Sequence, residues 1–123
     1  MAEGNVMSTA HELLDMNLLR VFGNRDAVSR REAIDAAYTE DVAFTDPEGT
    51  VTGRDALEAK AAALLDGAPA DFVFERDGVE YSGAGSAALA WTFGPSGSPV
   101  ARGIDIITVT DGRISSLRTL LHE

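Results

Sequence analysis

The order of the periodicities constrains this chain most: helical patterns fill its first half and strand patterns its second. Four runs, at 72–82, 86–93, 100–110 and 113–121, have strand composition, with only short Gly- or Pro-rich stretches between them. Connections that short cannot hold a crossover helix, so they predict an antiparallel meander. Asp111-Gly112 is the strongest hairpin signal in the chain. Upstream lie three helical segments. Thr9 to Glu12 has capping-box spacing, and Leu14, Leu18, Val21 and Phe22 follow on one face up to Gly23-Asn24. Ser29 to Glu32 repeats the capping pattern ahead of Ala33, Ile34, Ala37 and Tyr38. A third helix starts after Gly53, with Leu57, Ala61, Leu64 and Leu65 on its inner side, and ends at Gly67-Ala68-Pro69. Between the second and third helices Val42 to Asp46 alternates like a short strand, and Glu48-Gly49 reads as a turn. Helices followed by strands predict one α+β domain over 1–123, with an antiparallel sheet backed by three helices.

Composition sets the outer limits. Hydrophobic residues make up 45% and charged residues 24%, enough apolar content for a globular core at 123 residues. No apolar run reaches the roughly 18 residues of a membrane span, so no membrane association is expected. Met1 to Asn5 carries an acid and no basic stretch, unlike a signal peptide. The chain has no cysteine, which excludes disulfides and thiolate chemistry and agrees with a cytoplasmic location. A formal charge of −10 with no basic patch argues against nucleic acid as a partner. Two histidines far apart, His11 and His122, do not suggest a metal site; His11 reads as solvated and His122 as incidental.

Two aspartates stand out. Asp105 lies between Ile104 and Ile106 and shares a strand face with Gly103, Ile107 and Val109. A carboxylate there loses much solvation unless it is paired or protonated, so its pKa should be raised. The alternative is a structural carboxylate satisfied by backbone amides or by Arg102 or Arg118. Asp46 ends the Val42/Phe44 face at Asp46-Pro47, either as an ionised base within reach of water or simply as a turn former. Two carboxyls in unlike surroundings can divide acid and base roles. Trp91 shares an apolar face with Leu89 and Phe93 and reads as core or pocket wall. Tyr38 reads as a core seal or as a polar contact in a pocket. Lys60 reads as a surface residue. Ile104 and Ile106, on the face opposite Asp105, suggest that this side is covered by a second subunit, and a homodimer through the sheet is expected.

The segment Tyr38-Thr39-Glu40-Asp41-Val42-Ala43-Phe44-Thr45-Asp46-Pro47-Glu48-Gly49, followed by Thr52-Gly53-Arg54-Asp55-Ala56-Leu57, resembles the nuclear transport factor 2-like superfamily. Its ketosteroid isomerase and SnoaL-like polyketide cyclase branches are the most similar. The run from Gly103 to Ile114 looks like the last hairpin of the same superfamily. The resemblance covers nearly the whole chain and implies a cone-shaped curved sheet around an apolar pocket. It implies Asp46 as general base and Asp105 as a protonated acid donating to an oxyanion. Ketosteroid isomerase is the well-known illustration of such an acid. Where that family keeps an oxyanion tyrosine on the first helix, this chain has Phe22, with Asn17 one to two turns earlier; the tyrosine is missing. The aspartate and Arg/Asp pair of limonene-epoxide hydrolases are missing as well, Thr119 standing at the last-strand position.

The resemblance therefore implies a cofactor-free enzyme for isomerisation or cyclisation of a hydrophobic carbonyl compound. Asp46 and Asp105 are its catalytic candidates. Asn17, Phe22, Tyr38, Phe44, Leu57, Trp91 and Leu121 are its substrate-binding candidates. The competing expectation is a non-catalytic module that binds a lipophilic ligand or a protein partner.

Overall fold

A computed structural model describes residues 10–122 of the chain. Helix α1 opens as an α-helix at 10–15 and continues as wide π turns over Met16–Phe22. The expected Thr9 cap lies outside the described residues. The π turns bury Asn17, Leu18, Val21 and Phe22, so a polar amide enters the core beside the expected apolar stripe. Gly23 ends the helix where a Cβ would come within 2.8 Å of the Leu18 carbonyl oxygen.

Helix α2 spans Ala27–Ala37 and starts earlier than the Ser29 capping pattern predicts. Its cap is Asp26, whose side chain accepts from the Ser29 N–H at 2.9 Å. A carboxylate at this position competes well for the free amides of a first turn. Helix α3, Arg54–Asp66, follows the expected boundaries, with Gly53 before it at φ 99° and Gly67 after it.

Among the described residues six strands form one curved, unclosed sheet: β1 (Tyr38–Asp46), β2 (Gly49–Thr52), β3 (Phe72–Gly83), β4 (Ser86–Pro95), β5 (Ala101–Thr110) and β6 (Arg113–Leu121). Their spatial order is β2-β1-β6-β5-β4-β3. The meander from β3 to β6 is antiparallel throughout, as expected. The Asp111-Gly112 turn has positive φ at both residues, 53° and 79°, as a tight two-residue hairpin requires.

The sheet departs from an all-antiparallel one at a single seam. β1 runs parallel to β6, with Phe44 opposite Leu117, and the sheet is mixed. Short connections fix only the pairing of consecutive strands, and this pair joins segments far apart in the sequence. The Glu48-Gly49 turn leads directly into β2, which pairs back on β1. Register shifts interrupt the β1–β6, β3–β4 and β5–β6 pairings, and such irregularities bend a sheet.

One sheet face carries Val42, Phe44, Leu89, Trp91, Ile107 and Leu117, all buried. Together with Leu14, Leu18, Val21, Ile34 and Leu57 from the helices they form one core.

Candidate active site

The inner face is not filled completely. A cavity of about 470 Å³ opens between the sheet and helices α1 and α3. Phe22, Phe44, Phe74, Trp91, Phe93 and Leu121 supply most of its wall, and its polar groups are Asp46, Glu48, Lys60, Asp105 and Thr119. Phe74 stacks on Phe93, with ring centroids 4.2 Å apart, and meets Trp91 edge-on at 5.2 Å. This aromatic wall stiffens one side of the cavity.

Asp105 sits at the centre of β5 and is only 6% exposed. Neither Arg102 nor Arg118 reaches it. Its partners among the described residues are three neutral donors from three elements. Thr119 Oγ1, directly across on β6, donates to Oδ1 at 2.8 Å. Trp91 Nε1 donates to the same oxygen at 3.0 Å. Asn17 Nδ2, from the π turns of α1, donates to Oδ2 at 2.8 Å. Burial holds the carboxyl above the usual aspartate range, and the bonds from Thr119, Trp91 and Asn17 pull the other way without cancelling it.

A second layer of polar contacts lies behind the first. Tyr38 is fully buried, and its hydroxyl donates to Asn17 Oδ1 at 2.5 Å. That bond fixes the Asn17 amide with its NH2 toward Asp105. Burial, followed by the charge on Asp105, raises the Tyr38 phenol well above its ordinary value. The Trp91 ring reaches the carboxyl because its cross-strand neighbour is Gly103. A Cβ at Gly103 would lie 2.4 Å from the Trp91 ring and 2.7 Å from the Leu120 carbonyl oxygen.

Asp46 ends β1 at the rim of the same cavity. Its Oδ1 accepts from the Glu48 N–H at 2.9 Å, so the turn-forming role is real. Its Oδ2 faces Lys60 Nζ at 3.4 Å, while Lys60 holds Glu48 more closely at 2.6 Å. Lys60 is thus a rim residue instead of a plain surface lysine, and its pKa is raised, chiefly by Glu48. β1 and β5 project their carboxyls from the same sheet face, so Asp46 and Asp105 border one cavity.

The remaining candidates divide. Phe22, Phe44, Trp91 and Leu121 line the cavity. Asn17 and Tyr38 lie behind its wall and act on it only through Asp105. Leu57 is fully buried in the helix–sheet core and does not border the cavity. Thr119, Lys60 and Glu48 are polar cavity residues to which the sequence assigned no chemical role. Thr119 was legible in principle, because a hydroxyl on the inner face of β6 faces Asp105 once the Asp111-Gly112 hairpin sets the register. Nothing local marks Lys60. Among the described residues no group of acidic and histidine side chains is arranged to hold a metal ion. No described helix is long and apolar enough to cross a membrane.

A curved sheet wrapped over three helices is the fold of solved structures described as nuclear transport factor 2-like and cystatin-like. Residues 17–117 match the model of the SnoaL-like domain, and the chain belongs to that family. A candidate isomerase of the SnoaL-like family from Agrobacterium tumefaciens superimposes with a TM-score of 0.85 at 21% identity, over 94% of this chain and 99% of the other. A candidate polyketide cyclase from Sinorhizobium meliloti gives 0.70 at 20% identity, over 89% and 94%. A candidate ketosteroid isomerase from Kribbella flavida gives 0.63 at 20%, over 94% and 79%. At these identities the likeness establishes the fold. No curated protein matches the chain.

Proposed function

We propose that this protein is a cofactor-free acid/base enzyme that removes a proton next to the carbonyl of a hydrophobic compound. Asp46 accepts the proton. The electron pair left behind moves onto the carbonyl oxygen, and Asp105, in its protonated form, provides the hydrogen bond that stabilises the resulting enolate. Returning the proton to a different carbon completes an isomerisation, whereas attack of the enolate carbon on a second carbonyl closes a ring. The observation that carries this proposal is the contrast between two carboxyls on one apolar cavity. Asp105 is buried among neutral donors and pushed upward in pKa, and Asp46 sits at the rim beside an ammonium group. Such a contrast separates acid from base.

The test uses 2-tetralone in heavy water, with loss of the proton signal beside its carbonyl followed by NMR. Wild-type protein should accelerate exchange. Asp46→Asn should reduce that acceleration by about 10²–10⁴, the usual contribution of a positioned base, while the ketone still binds. Undiminished exchange in that variant refutes the assignment of Asp46.

A second reading, a binding module without catalysis, is favoured by the contacts of Asp46, which already engages Lys60 and the Glu48 amide. Wild-type protein that binds 2-tetralone without accelerating its exchange would establish it. A hydrophobic small molecule is the ligand in either case.

A homodimer through the outer sheet face belongs to the same proposal. Ile104 lies between Ala90 and Leu120 there, and Ile106 lies beside Ala88, with Tyr81 exposed at its margin. Light scattering at micromolar concentration should give twice the 13.0 kDa chain mass; a monomeric mass overturns it. A cytoplasmic location is likewise proposed, supported by the cysteine-free composition.

A further inference from the structure

Of the three donors around Asp105, two are one-way. An indole N–H can only donate, so Trp91 cannot accept from the carboxyl. The Asn17 amide has an acceptor end, but Tyr38 occupies it, and the NH2 end is what faces Asp105. A threonine hydroxyl, in contrast, donates and accepts. Among the described residues Thr119 is therefore the one partner of Asp105 whose hydrogen bond can reverse, and it also borders the cavity.

We propose that Thr119 is the relay through which Asp105 meets the ligand oxygen. With the carboxyl ionised, Thr119 points its hydrogen inward at Oδ1. With a proton on Oδ1, the carboxyl donates to Thr119 Oγ1, and the threonine hydrogen swings outward to a ligand oxygen. No covalent bond need break: one hydroxyl rotates about Cβ–Oγ1. Trp91 and Asn17 are positioning residues that hold the carboxyl still while this happens. The proposal rests on the acid role given to Asp105 above and supplies its route.

Charged groups elsewhere do not replace this path. Arg76, opposite Trp91 on the inner face, is engaged by Asp15 and Glu80. Arg102 turns to Asp77, and Arg118 is on the outer face beside Ile106. Asp46, Glu48 and Lys60 stand at the cavity rim, and Tyr38 reaches Asp105 only through Asn17.

The experiment measures 4-nitrophenol binding by quenching of Trp91, the chain's one tryptophan. Affinities of wild type, Thr119→Val, Thr119→Ser and Asp105→Asn are compared at several pH values. A hydrogen bond to a polarised oxygen corresponds to roughly tenfold in affinity, so Thr119→Val should bind about tenfold more weakly. Thr119→Ser, which keeps the hydroxyl, should stay within about threefold of wild type. Wild-type affinity should fall as pH rises through the Asp105 titration, and Thr119→Val should lose this dependence. Rescue by serine and loss of the pH dependence are effects a packing role does not produce. If valine prevents folding, Thr119→Ala takes its place, with circular dichroism as the control.

Wild-type binding by Thr119→Val together with weak binding by Asp105→Asn would overturn the relay and leave Asp105 in direct contact with the ligand. Wild-type binding by both variants would overturn the relay and the acid role of Asp105 together.

Discussion

Tyr38→Phe removes a single hydroxyl from the interior and tests whether the polar layer behind Asp105 is a connected unit. The hydroxyl makes one hydrogen bond, to Asn17 Oδ1, and Tyr38 and Asn17 are both fully buried. Losing a neutral hydrogen bond costs about 0.5–1.5 kcal/mol, and leaving a buried acceptor unsatisfied costs about 1–3 kcal/mol. The ring stays in place, so the cavity term is small. A net loss of about 1–3 kcal/mol follows, equivalent to a melting temperature lower by about 4–12 °C in a domain of this size. Urea denaturation followed by Trp91 fluorescence measures it. The same experiment on Asn17→Ala and on the double variant completes a thermodynamic cycle, which should show a coupling of about 1 kcal/mol. The variant also frees the Asn17 amide to turn away from Asp105, which removes one of the bonds holding that carboxyl down and raises its titration further. A loss under about 0.5 kcal/mol, or strict additivity with Asn17→Ala, would refute the idea that Tyr38 sets the amide.

Other outcomes follow from the same geometry. Because the Asp105 pKa is raised on folding, its proton stabilises the native state fully below the unfolded value of 3.8, and that contribution is lost as pH rises through the folded value. Denaturation of wild type and Asp105→Asn from acid to neutral pH should therefore show the variant gaining stability relative to wild type as pH rises; a constant difference contradicts it. Gly103→Ala places a methyl 2.4 Å from the Trp91 ring; overpacking of this kind costs about 1–3 kcal/mol, and the displaced indole should change its emission maximum. An unchanged spectrum would mean that the ring does not depend on that glycine. Leu57→Ala should cost about 2–5 kcal/mol in stability while leaving ligand affinity unaltered, since the side chain is core and not cavity wall. Weaker ligand binding by a folded Leu57→Ala protein contradicts that placement.

Local chemistry made much of this molecule readable. The Asp111-Gly112 hairpin, the Gly53 and Gly67 limits of α3 and the alternation along β5 all act over a few residues, and they placed Asp105 on an inner face. Asp26 was hidden as the cap of α2 by the Ser29 pattern, because two overlapping capping signals cannot be ranked without the fold. The β1–β6 seam, the three donors to Asp105 and the rim position of Lys60 depend on residues far apart in sequence. Asn17 is the sharpest case. Helical spacing does not mark it as special, and the π turns of α1 are what carry its amide to Asp105.

The parallel seam between β1 and β6 also governs when the two carboxyls come to border one cavity. Trp91, Asp105 and Thr119 belong to consecutive hairpins, whose contacts close over short loops, whereas Asp46 arrives only when β1 docks against a strand near the other terminus. Closing so long a loop is entropically costly and slow compared with hairpin formation. On the base role proposed for Asp46, loss of the β1–β6 pairing would remove that base while the contacts among Trp91, Asp105 and Thr119 stay within their hairpins.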